Sequence, residues 1–129
     1  MLTLKKVSIF VICLLLVVVL AGCQKESNPP DTGLANPASV YCIGLGFKEE
    51  TRENEAGQYG VCIFEDGSEC DSWDFLAGRC GVEQSYCAQQ GNTPVTGEGN
   101  IGVCQFEDGS TCDELAYFQG DCKPGENLP

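Results

Sequence analysis

The sequence has no histidine among its 129 residues. That removes the side chain that most often activates a serine or cysteine nucleophile, so Ser68, Ser72, Ser85 and Ser110 have no such base to work with. No two cysteines form a CxxC pair, which excludes the usual zinc-thiolate spacing and the low-pKa redox motif. Basic residues are scarce, with 7 Lys and Arg against 19 Asp and Glu. Nucleic acid needs a basic patch for its phosphates and is excluded as a partner. Adsorption to anionic lipid headgroups is excluded on the same ground. The EF-hand spacing is missing too, and after the N-terminus no apolar run is long enough to enter a bilayer.

The first 22 residues read as an export signal. Lys5 and Lys6 form a positive start, residues 7–20 form an apolar stretch too short for a membrane span, and Leu20-Ala21-Gly22-Cys23 comes next. Small residues before a cysteine are the pattern of a bacterial lipoprotein box, which predicts cleavage before Cys23 and lipidation of its thiol. Cys13 would leave with the signal. The mature chain, 23–129, keeps all 19 acidic residues but only Lys25, Lys48, Arg52, Arg79 and Lys123, a net charge of −14. Its acyl chains would therefore hold it at the membrane, and one chain alone holds weakly. Residues 23–35, with two prolines and mostly polar side chains, predict a flexible linker.

Beyond the linker the chain is a duplication. Residues 60–70 read GVCIFEDGSEC and residues 102–112 read GVCQFEDGSTC. Cysteine spacing sets the register: Cys42 with Cys87, Cys62 with Cys104, Cys70 with Cys112 and Cys80 with Cys122. The intervals are 20, 8 and 10 residues in the first copy and 17, 8 and 10 in the second, so the length change falls in one loop. Residues 36–80 form module 1, residues 81–122 module 2, and residues 123–129 a tail expected to be disordered.

Each module reads as helix, two-stranded β-ribbon, helix, giving an α+β chain of small disulfide-rich modules in tandem. Asn36 and Pro37 are suited to open a helix that stops at Gly46. Its counterpart should span residues 82–90. Residues 48–55 form an edge strand or a loop. In the strand after it, Cys62 and Phe64 recur as Cys104 and Phe106 whereas Ile63 becomes Gln105, which assigns Cys62 and Phe64 to the inner face. Asp66-Gly67 and Asp108-Gly109 turn the chain. Ser68 and Ser110 are then expected to cap a helix carrying Trp73 and Leu76, or Leu115 and Phe118, on one face.

A unit this small cannot bury enough apolar surface alone, and eight cysteines remain once Cys13 and Cys23 are set aside. An even set in an exported chain predicts disulfides among Cys42, Cys62, Cys70, Cys80, Cys87, Cys104, Cys112 and Cys122, with no metal and no cofactor. Cys42–Cys62 and Cys87–Cys104 are favoured, each tying a helix to a strand at about 3 kcal/mol in the entropic account. That leaves Cys70–Cys80 and Cys112–Cys122, which a continuous helix would hold about 15 Å apart when a disulfide needs about 5.5 Å. Nested and cross-module pairings stay open. The carboxylates Glu65, Asp66, Glu69, Asp71 and Asp74, with Glu107, Asp108, Asp113 and Glu114, read as turn and cap residues rather than calcium ligands.

The run NPASVYCIGLG at 36–46, the Cys-x-Phe-x-Asp-Gly phrase at 62–67 and the acidic helix around Trp73 resemble a small lipoprotein family labelled hemolysin and catalogued as domain of unknown function 333. The resemblance is close over 36–80 and looser over 81–122, where the Asn-Pro-Ala opening is missing and Leu115 replaces Trp73. It implies a lipoprotein signal before the domain, and members with only the first two cysteines imply a Cys42–Cys62 pair. Lysis would need a membrane-seeking segment that this chain lacks. The expectation is a non-enzymatic, lipid-anchored protein of the cell envelope, held through Cys23, that binds an envelope or secreted protein with partly exposed Tyr41, Tyr59, Trp73 or Tyr117. The alternatives are a secreted-protease inhibitor presenting residues 50–57 or 93–100, or the hemolysin that the family label implies.

Overall fold

The computed structural model describes residues 35–129; the signal, Cys23 and nearly all of the linker lie outside them. Module 1 opens with α1, Pro37–Gly44. Asn36 accepts a hydrogen bond from the Ala38 N–H, Pro37 occupies the first turn, and Gly46 ends the element at φ +90°, a backbone conformation costly for residues with a Cβ. β1, Lys48–Asn54, and β2, Gly57–Ile63, form a hairpin in the register Asn54 to Gly57 through Lys48 to Ile63. The charged stretch is thus an edge strand, its side chains alternating in sign along an exposed ladder.

A third strand, β3 at Glu69–Asp71, pairs with β2 and places Cys70 opposite Cys62. The expected two-stranded ribbon is a three-stranded sheet in the order β1-β2-β3. Ser68 therefore does not cap a helix. Its N–H and hydroxyl donate to Asp66, closing the Asp-Gly turn. The cap is Asp71, whose carboxylate accepts from the Trp73 and Asp74 N–H groups. Helix α2, Ser72–Leu76, is five residues long, and Gly78 at φ +72° turns the chain back. This resolves the distance difficulty: Cys70 and Cys80 are joined with their Cα atoms 5.9 Å apart.

Module 2 repeats the plan with shorter parts. The expected helix over 82–90 is broken. A 3-10 turn, Val82–Gln84, precedes α3, Tyr86–Gln89. Ser85 lies between them in an extended conformation and caps α3 through the Ala88 N–H. Strands β4, Thr93–Val95, β5, Val103–Gln105, and β6, Thr111–Asp113, form the second sheet, and α4, Glu114–Gln119, closes the module. The other three disulfides are Cys42–Cys62, Cys87–Cys104 and Cys112–Cys122. The residues after Cys122 are placed rather than disordered: the Thr111 N–H donates to the Asn127 carbonyl at 3.1 Å, laying the tail along β6.

The cores are unequal. Module 1 buries Ala38, Tyr41, Phe64, Phe75 and Leu76 with three cysteines. Module 2's own buried cluster is Phe106 and four cysteines. The reason lies in α4, which divides its apolar side chains. Ala116 and Tyr117 pack on module 2, while Leu115 and Phe118 pack on the core of module 1 together with Tyr86 and Ile101.

Candidate functional site

Polar and aromatic groups converge most closely at the joint between the modules. Tyr41 on α1 is fully buried and lies edge-on to Phe118 of α4, ring centroids 5.3 Å apart. Aromatic contacts run on without a break from Phe64 through Phe75, Tyr41, Phe118, Tyr86 and Tyr117 to Phe106. They join the phenylalanines of the two repeated phrases. Gly44 makes this approach possible, since a Cβ there would lie 2.5 Å from the Phe118 ring.

The Tyr41 hydroxyl donates to Glu114 at 2.5 Å and accepts the Tyr86 N–H at 2.8 Å. The same Glu114 oxygen accepts the Cys87 N–H at 2.9 Å. Glu114 is 3% exposed. Burial, and then the Glu114 charge, push the Tyr41 hydroxyl far above the usual tyrosine range. Module 2 also completes the end of α2. The Gly102 N–H donates to the Leu76 carbonyl at 2.8 Å, Gly97 to Ala77 at 3.1 Å, and the Thr96 hydroxyl to Gly78 at 2.8 Å. These carbonyls would otherwise lack partners.

The crevice beside this network is lined by Phe75, Leu76, Ser85, Val103 and Glu114 among others and holds about 10 Å³, room for one water. It is not a substrate pocket. Cys87, Cys104 and Glu114 bring three ligand-type atoms together, but both sulfurs are spent in a disulfide and cannot act as thiolates.

The remaining predicted carboxylates are dispersed into local roles. Asp66 and Asp108 accept from Ser68 and Ser110, whose hydroxyls chiefly, then N–H groups, hold both acids below their usual range. Glu69 accepts a forked pair of bonds from Arg52 at 2.5 and 2.7 Å and is lowered by it. Lys48 pairs with Glu50, and Arg79 with Asp74. Asp71 caps α2, whereas Asp113 makes no such cap bond. Only Glu114, of the nine acids singled out, is buried. The sequence offered no signal for that, because module 1 has Ser72 at the matching position.

Of the four aromatics expected to be partly exposed, Tyr59, Trp73 and Tyr117 are half-buried, while Tyr41 is at 0%. Within 50–57 all but Glu55 and Ala56 are paired strand residues. Residues 93–100 are bound into the joint through Thr96, Gly97 and the Gly99 carbonyl, which accepts from Arg79. Neither stretch is a free loop. Among the described residues no helix is long and apolar enough to cross a membrane.

An uncharacterized protein of Archaeoglobus fulgidus is 36% identical over 63 residues, which is 49% of this chain and 30% of that protein. The uncharacterized protein YoaF of Escherichia coli K12 is 38% identical over 74 residues, 54% of this chain and 84% of YoaF, and YoaF of Shigella flexneri matches equally. The chain thus spans less than a third of the archaeal relative's length. No solved structure matches. The domain of unknown function DUF333 matches twice, at residues 33–79 and 84–121, one match for each module, and the chain belongs to that family.

Proposed function

We propose that this chain is a non-catalytic lipoprotein of the cell envelope, lipid-anchored through Cys23, whose rigid acidic domain binds another protein. The observation that carries the non-catalytic reading is the use made of its reactive side chains. The eight domain cysteines are all in disulfides. The carboxylates singled out in the sequence cap helices, close turns, pair with bases or lie exposed, and the buried acid faces a space for one water. Three of the four basic residues of the domain are neutralised within it, so the surface left for a partner is acidic and complements a basic one. The anchor reading rests on the Leu-Ala-Gly-Cys box. The exposed large apolar side chains, Val40, Ile43, Val95 and Leu128, are too few to seat the domain in a bilayer, which argues against lysis.

The test uses cells making the full chain. Radiolabelled palmitate should enter the wild type and not Cys23→Ala. Photo-crosslinkers at Tyr59 and Glu53 should trap one protein, with the yield falling as salt rises to about 0.5 M. A wild type that takes up no palmitate, or a Cys23→Ala variant that takes up as much, would overturn the anchor. Salt-insensitive or absent crosslinks would overturn the acidic binding face.

A further inference from the structure

The repeated turn is built identically in both modules and covered in only one. In each, an aspartate accepts the N–H and hydroxyl of the serine two residues on: Asp66 from Ser68 at 2.8 and 2.5 Å, Asp108 from Ser110 at 2.9 and 2.5 Å. Gly67 and Gly109 share φ +83°. The strands after the turns have the same register, Cys62 opposite Cys70 and Cys104 opposite Cys112. In module 2 the tail sits on this frame. The Gly125 N–H donates to the Ser110 hydroxyl at 2.7 Å, and the Thr111 N–H donates to the Asn127 carbonyl at 3.1 Å. The Asn127 side chain returns a bond to the Thr111 carbonyl at 3.1 Å. Ser110 is fully buried as a result.

In module 1 the chain leaves differently. Gly81 takes φ +61° and the 3-10 turn carries the chain away to α3. Ser68 and Glu69 are exposed. Glu69 stands where Thr111 stands, so its N–H points out from the sheet edge, and no group among the described residues takes it. An open strand edge is a template for another chain.

We propose that the edge formed by Ser68 and Glu69 takes the C-terminal segment of a second copy of this chain, in the manner the tail occupies module 2. That segment already fits the duplicate frame through backbone groups and one asparagine, none of which depends on the residue types that differ between the copies. The segment carries one base and one acid side chain, Lys123 and Glu126, and Arg52 already neutralises Glu69 at the edge. Two or three exposed hydrogen bonds hold weakly, with half-saturation expected at about 1 mM. Chains confined to one surface can reach such effective concentrations.

The test is an amide-resonance titration of residues 23–129 with the peptide KPGENLP. The Ser68 and Glu69 resonances should move progressively with a midpoint of about 1 mM. Those of Ser110 and Thr111 should stay, since their own tail holds them. Ser68→Ala should weaken the response at least threefold. In chain alone, raising the concentration should move Glu69, and deleting residues 123–129 should abolish that movement. The proposal is overturned if Ser68 and Glu69 do not respond, if shifts are confined to Ser110 and Thr111, or if a scrambled peptide acts equally.

Discussion

Tyr41 does three things at once. Its ring fills the centre of the aromatic row, its hydroxyl donates to Glu114, and the same oxygen accepts from Tyr86. Tyr41→Phe keeps the ring and leaves a buried carboxylate and a backbone N–H each short of a partner. Such groups cost about 1–3 kcal/mol, and guanidinium unfolding should show a loss of that size. The raised hydroxyl adds a pH signature. Folding favours the neutral phenol, so its stabilisation is complete below the unfolded tyrosine pKa of about 10 and is lost as the pH rises beyond that. Wild type should weaken above about pH 10 by an amount that Tyr41→Phe does not show. Asp66 and Asp108 behave oppositely, since both are lowered by their serines. Their contribution is present above the unfolded aspartate pKa of about 4 and fades as the pH falls through the lower folded value. Asp66→Asn with Asp108→Asn should flatten the acid limb of a stability-against-pH curve; an unchanged limb would mean the turns gain nothing from the charge.

Element by element, the helix starts were legible where one signal stood alone. Asn36-Pro37 has no competitor and opens α1. Around the repeated phrase two signals compete. Ser68 and Asp71 can each cap, and the Asp-Gly turn claims Ser68 first, which leaves three residues free to pair as β3 before Asp71 begins α2. A strand of three residues has no periodicity to read, so the third strand was hidden. The same shortness makes α2 depend on its ends. Gly78 at φ +72° is what lets Cys80 return to Cys70, and a Cβ there would make only ordinary contact with the Val95 carbonyl at 3.4 Å. Gly78→Ala and Gly67→Ala, both at positive φ and neither meeting a clash, should each lose about 1–2 kcal/mol, read by thermal unfolding. The cysteine register was legible because a disulfide needs two fixed positions. The joint was not, because Tyr41 and Glu114 lie 73 residues apart and break the symmetry of the repeat.

At the scale of the whole domain, the duplication has become a division of labour. Module 2 lends Leu115 and Phe118 to its neighbour and keeps a core of one phenylalanine and two cystines. It also supplies the hydrogen bonds that finish α2. Neither half retains what it would need alone, so the two should unfold together. The single tryptophan makes this measurable. Trp73 packs on the module 1 core, so its fluorescence follows that half, while hydrogen exchange of the Cys104 and Cys112 amides follows the other. In the wild type both probes should report one free energy. Phe118→Ala removes the ring shared by Tyr41 and Tyr86 and should cost about 3–5 kcal/mol by the Trp73 probe. The cost to module 2 should be larger, because both modules keep two closed disulfide loops, while module 2 has only Phe106 and its cystines for a core of its own. The two free energies should therefore separate in the variant. If they stay equal, the coupling runs through Tyr41 and Glu114 rather than through Phe118; if they already differ in the wild type, the modules are independent and the joint is a contact without consequence for stability.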